Sequence, residues 1–265
     1  MNFLDFGFGA LEEQLWQVLF LSIRCGAALL VAPMIGGTAV PVQVRTMVAM
    51  VLAVFVAVWI PLPQLPEMLS FAAVVAIVQE VVIGAALGFM LQIAFAVPLI
   101  AAEQIAGTMG LAIATSIDPS SGAQSGALGT YFGLIMTLLF YAIGGHLLWF
   151  ELLIESYRIL PVGALSFGTV RGQDIIVFAG YAFATAASIA LPVVLVLLIV
   201  QLITGTISRS APSLNLFALG LPAGVMAGIT ALIIVMPIVV EQFVSLLSVT
   251  LEQSGLMILP VGGAP

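Results

Sequence analysis

The stretch MGLAIATSIDPSSGAQSGALG, Met109 to Gly129, decides how the rest of the chain is read. It is rich in small side chains, carries almost no charge and has a turn signal where Asp118 meets Pro119. Two of the longest apolar runs in the protein flank it. Backbone that leaves regular helix at membrane depth persists only where protein buries it or where it lines a wet cavity, because hydrocarbon offers no hydrogen-bond partners. The stretch is therefore either a loop tucked into a protein-lined passage or an ordinary surface loop after a helix. Composition leaves both open.

Upstream, Ser70 to Ile100 would reach about 46 Å as a helix, more than the ~30 Å of a bilayer core. Such a run tilts, kinks near Pro98, or projects beyond the hydrocarbon. Glu80, Gly84, Gly88, Gln92 and Ala96 fall on one i+4 ridge of it. Small residues at that spacing let another helix approach closely, and polar ones bond across the contact. The ridge suits a neighbouring subunit or this chain's own helices. Downstream, 128–149 reads as a further span, with Gly144-Gly145-His146 near its end.

Farther out lie the runs 15–32, which holds Arg24, and 44–60, then 175–206, interrupted by Pro192. The last run, 214–251, carries a Gly220, Gly224, Gly228 ridge, two prolines that can kink it, and an amphipathic end with Glu241, Ser245, Ser248 and Glu252 on one stripe. The expected organisation is one membrane-embedded helical domain over 1–252, a central loop at about 107–127, and a flexible tail over 253–265.

The chain is 63% hydrophobic and 6% charged, against roughly 25% charged in an average soluble domain. This is the composition of an all-α polytopic membrane protein in contact with lipid. A formal charge of −7 without any lysine argues against nucleic-acid binding. Cys25 is alone, so an internal disulfide and a cysteine metal cage are excluded, and a small buried apolar role remains. Asp5, Glu12 and Glu13, with no basic residue, make the N-terminus unlike a cleavable signal, so the first hydrophobic segment is expected to stay in the mature protein. Arg24 is costly in lipid and must face protein or water, or snorkel. If the runs alternate, Arg45 and Arg209 fall on one side and Arg158 and Arg171 on the other, a tie that points to partners rather than flanking charge as what sets the arrangement.

No catalytic, metal or cofactor site emerges. Without lysine there is no phosphate-binding Gly-x-x-x-x-Gly-Lys, and with His146 the sole histidine there is no multi-histidine metal site. A Ser125–His146 protease dyad lacks the Gly-x-Ser-x-Gly setting. Glu80 and Glu103 suit either an ion relay or interface anchors.

Taken in order, the motifs become specific. Gln79-Glu80, Ile83-Gly84-x-x-Leu87-Gly88-Phe89, Gln92-x-Ala94-Phe95, Glu103 and Met109-Gly110-Leu111-Ala112 through Asp118-Pro119 resemble the FliR family. The stretch from Arg209-Ser-Ala211-Pro212 to Phe217, Gly220 and Pro222 looks like the family's second signature, and Gly145-His146-Leu147, Leu160-Pro161-Val162-Gly163, Ala32-Pro33 and Val40-Pro41 match in order and spacing. The resemblance runs from about Leu15 to Leu251.

It implies a subunit of the flagellar type III export gate, in the bacterial inner membrane at the flagellar basal body, with no enzymatic activity and no cofactor. It implies a fold of FliP-like and FliQ-like hairpins, assembled with FliP and FliQ into a ring that this subunit closes. FlhB wraps the cytoplasmic side, FlhA surrounds the gate below, and unfolded flagellar proteins pass through. It also implies that the loop holding Met109, Gly110, Leu111, Ile113, Ser116, Ile117, Asp118 and Pro119 plugs the pore, while Glu80, Gly84, Gly88, Gln92, Gly220, Gly224 and Gly228 serve helix packing or subunit contacts. Some relatives carry aromatic plug residues where this chain has Ile113 and Ser116. Virulence-type secretion systems have a homologous subunit, and the sequence leans flagellar. The rival is a stand-alone secondary transporter or channel for a small solute.

Overall fold

A computed structural model of the chain describes residues 8–37, 40–60, 70–111, 126–162, 172–210 and 216–259. Among them are seven helices and no strand: α1 (Phe8–Val31), α2 (Val42–Trp59), α3 (Phe71–Met109), α4 (Ala127–Ala142), α5 (Gly145–Ile159), α6 (Gly172–Ser210) and α7 (Leu216–Ile258). Five are long and apolar enough to cross a membrane, or six spans if α4 and α5 form one broken span. The chain is an all-α polytopic membrane protein.

Prolines outside the helices bound them. Pro33 follows the end of α1, and Pro41 precedes α2, where Arg45 Nη2 donates to the carbonyls of Gly37 and Val40 and holds the connection. Prolines inside helices do not end them. α3 runs through Pro98 to Met109, beyond the expected end at residue 100; α6 passes Pro192, and α7 passes Pro222 and Pro237. An interior proline removes one backbone bond, but in an apolar surrounding the neighbouring backbone has no water to turn to, so the helix continues.

The run 128–149, read as one span, is two helices. Gly144 has φ +71°, and it both follows the last turn of α4, where Ile143 N–H donates to Leu139 O at 2.9 Å, and begins α5, where its carbonyl accepts from Leu147 N–H at 2.9 Å. A side chain at that φ costs about 1–2 kcal/mol, so glycine is what permits the break. α7 also outlasts its expected run. Residues 253–258 are helical, and Ser254, Met257 and Ile258 are buried.

The described residues group into two compact units. The first takes α1, α2, α3 to Gln92, α5, the start of α6 to Phe178, and α7 from Thr250. Here α3 meets α1 backbone to backbone. A methyl on Gly84 would overlap the Arg24 carbonyl oxygen, and one on Gly88 would lie 2.6 Å from Ala28 O. Trp149 Nε1 donates to Leu87 O at 3.3 Å, bringing α5 onto α3. The second unit takes α3 from Ile93, α4, α6 from Ala179 and α7 to Val249. Edge-to-face rings hold its core: Phe95 on Phe140 at 5.5 Å and Phe132 on Phe243 at 5.8 Å.

Paired glycine substitutions test this packing. Alanine in place of helical glycine gains about 1 kcal/mol of propensity, while forcing a methyl against fixed backbone costs about 1–3 kcal/mol. Gly84→Ala is therefore expected to lower the unfolding midpoint of the purified protein. Gly133→Ala, where a methyl meets nothing within 4 Å, is expected to leave it level or raise it. Equal effects at both sites would contradict the close α1–α3 approach.

Candidate functional site

The stretch that organises the sequence begins inside a helix. Gly107, Thr108 and Met109 are the last residues of α3, and Gly110, with φ +83°, ends it. Its N–H donates to Gly107 O at 3.2 Å, tightening the last turn. A methyl on Gly110 would sit 2.6 Å from Leu221 Cδ2 of α7, so both its backbone angle and its space demand glycine. Met109 is buried and lies over the glycine ridge of α7. A Cβ on Gly224 would be 3.3 Å from Met109 O, and one on Gly228 would be 2.6 Å from Met109 Cγ. The ridge is thus a slot for the end of α3. Thr108 O, one of the carbonyls a helix end leaves without a partner, accepts from Gln201 Nε2 of α6 at 2.7 Å. A cleft of about 330 Å³ opens here, lined among others by Gly107, Gly205 and Gly220.

The far end of the loop is tied back to the same helix. Gly126, which precedes α4, donates its N–H to Glu103 Oε1 at 3.2 Å. A carboxylate at the N-terminus of a helix is favoured by the helix dipole and satisfies one of its orphan donors. Glu103 stands two turns before Gly110 on α3, so entry and exit of the loop are held on one helix end. The plug positions Ile113, Ser116, Ile117, Asp118 and Pro119 lie outside the described residues, as does Ser125. Of the expected loop set, Met109, Gly110 and Leu111 are described, and Met109 is a helical anchor rather than a loop residue.

The other ridge, on the first half of α3, lies in the first unit. Glu80 and Gly84 face α1, and Gly88 packs under Ala28; Gln92, a turn farther on, is exposed. Glu80 meets Arg24 as a two-pronged pair, Nε to Oε2 at 2.7 Å and Nη2 to Oε1 at 2.8 Å, and both side chains are fully buried. Arg24 Nη1 donates to Ser156 O at 2.7 Å and Ser156 Oγ at 3.0 Å, and Nη2 also reaches Leu160 O at 2.9 Å. These contacts use all five N–H groups of the guanidinium. Its cation lies at the C-terminal end of α5, where the dipole favours positive charge, and 4.2 Å from the Tyr157 ring centre. Tyr157 Oη donates to Leu21 O at 2.6 Å beside the buried Cys25. The arrangement joins α1, α3 and α5, and Glu80 is committed to it rather than to a relay.

Sequence reading missed Gln201, Leu221 and the tie from Glu103 to Gly126. Gln201 carried a usable signal, since an amide within an apolar run must find a partner. Leu221 carried none.

A family model described as "Bacterial export proteins, family 1" matches residues 15–249. The chain is 32% identical to the flagellar biosynthetic protein FliR of Escherichia coli (strain K12), over 82% of this chain and 83% of that one. It is 31% identical to the flagellar biosynthetic protein FliR of Pectobacterium carotovorum subsp. carotovorum, over 84% and 85%. It is also similar to the surface presentation of antigens protein SpaR of Shigella sonnei, at 30% identity over 54% of this chain and 55% of that one.

Proposed function

Because the chain belongs to family 1 of the bacterial export proteins, we propose that it is the FliR-type subunit of a flagellar type III export gate in the inner membrane, closing a ring with FliP and FliQ. The segment between Leu111 and Gly126 plugs the pore of that gate. FlhB and FlhA are its neighbours at the flagellar basal body, and unfolded flagellar proteins are its cargo. The observation that carries this reading is the rooting of the segment at both ends, by Met109 and Gly110 against α7 and by Glu103 on Gly126. A stopper must be tethered firmly and yet be free to move aside between its tethers. Ile113 and Ile117 supply apolar volume that excludes water and ions from the closed lumen. Ser120, Ser121 and Gly122 are small and uncharged, a composition that suits a conduit that must hold no single cargo sequence.

The length of α6 supports an assembled subunit. Its exposed large apolar residues run from Ile176 to Ile207, roughly 46 Å. Even a 40° tilt leaves about 35 Å to cover, against about 30 Å of hydrocarbon. Lipid alone does not cover that face, and neighbouring subunits do.

The test is the mass of what purifies with the chain in mild detergent from cells making the whole apparatus. FliP- and FliQ-like chains are expected in one particle with it. A stable lone particle that moves a small solute would favour the transporter instead.

A further inference from the structure

The last turn of α3 has little to stiffen it. Gly107 and Gly110 flank Thr108 and Met109, and glycine restrains its backbone less than any other residue. A methyl on Gly107 would meet nothing within 4 Å, nor would one on Gly205 of α6. Both glycines line the cleft of about 330 Å³. On that side the turn has room to move and no packing to stop it.

Contacts from two different helices hold the residues between these glycines. Met109 enters the Gly224–Gly228 slot of α7. A methionine side chain is flexible and adapts to its slot, so this contact fixes one point and lets the turn pivot about it. Gln201 Nε2 of α6, donating to Thr108 O at 2.7 Å, fixes a second point. Hydrogen bonds weaken steeply when bent, so this contact sets a direction that an apolar slot does not. The bond is also exposed beside the open cleft, where water can take over the Thr108 carbonyl if the amide is removed. Loss of the amide therefore costs the turn its direction and costs the fold little.

We infer that Gln201 is a positioning residue: its amide, reaching from α6 to the Thr108 carbonyl, aims the end of α3 and so sets where the segment after Leu111 leaves that helix. The inference rests on the reading of that segment as the pore plug. Gln201 takes no part in the seal. It keeps the resting plug in register with the lumen.

The test compares resting ion conductance and the unfolding midpoint of the complete gate carrying Gln201→Met or Gln201→His. Methionine keeps the length and removes the donor. Histidine has a ring Nε2 as many bonds from Cα as the amide nitrogen, and it can donate likewise. Gln201→Met is expected to leak about threefold to tenfold more than the parent, the equilibrium worth of one net hydrogen bond, with its midpoint unchanged. Gln201→His is expected to return conductance to the parent level. A Gln201→Met gate no leakier than the parent, or one whose leak comes with a lowered midpoint and is not restored by Gln201→His, would overturn the inference. The gate lacking residues 113–121 is measured beside them. If it leaks and Gln201→Met does not, only the role of Gln201 falls; if neither leaks, the plug reading falls and takes the inference with it.

Discussion

Glu80→Ala is expected to destabilise the protein by about 3–5 kcal/mol, the cost of leaving the fully buried Arg24 without its counter-charge. Against a typical total stability of about 5–15 kcal/mol, that loss is large. The carbonyls of Ser156 and Leu160 would still accept from the guanidinium, but they bring partial charges where Glu80 brings a full one. The double variant Arg24→Met/Glu80→Leu removes both charges and keeps apolar volume, and it is expected to recover most of the loss. Glu155→Ala is the control, since its pair with Arg158 is exposed and such pairs contribute little. Unfolding of the purified complex by heat or denaturant reads all three. A Glu80→Ala variant no weaker than the Glu155→Ala control would mean that the buried pair does not hold α1, α3 and α5 together.

That pair also shows where sequence stops being legible. An arginine within an apolar run announces that it needs a partner, and Arg24 could be read that way. Which partner it takes was hidden, because Glu80 and Ser156 are far along the chain and the geometry that joins them arises only when the helices pack. Glu80, Gly84 and Gly88 were visible as a ridge, yet the ridge did not say whose backbone it meets; in the first unit it meets α1. The apolar runs and the all-helical class were legible from composition alone. Their ends were less so. Pro98 and Gly107 look like helix breakers by the habits of water-soluble chains, and α3 passes both because an apolar medium offers its backbone no alternative. Gly144 was visible as one of two adjacent glycines, but only its left-handed angle shows that it starts a new helix rather than decorating the end of a span.

The central stretch reads in the sequence as a break between helices, and the described residues show the tethers at its two ends, which the sequence did not announce. Its tethers depend on Leu221, on Gln201, whose amide in an apolar run announces a need for a partner but not which one, and on the reach of Glu103 to Gly126. The tethers make the decisive experiment feasible. Deleting Ile113 to Ser121 leaves Ala112 and residues 122–125 to join Leu111 to Gly126, a reach of about 17 Å. Gly126 is held beside Glu103, and Met109, the last residue of that helix, lies about 9 Å farther along it, so the shortened chain is expected to close without disturbing either root. Any change then belongs to the removed residues and not to a collapsed fold.

The direct measurement is ion conductance across membranes holding the complete gate, with and without residues 113–121, alongside export of flagellar proteins. The gate lacking them is expected to leak ions at rest while export continues. Unchanged conductance in an assembled, exporting gate would contradict the claim that this segment is the stopper.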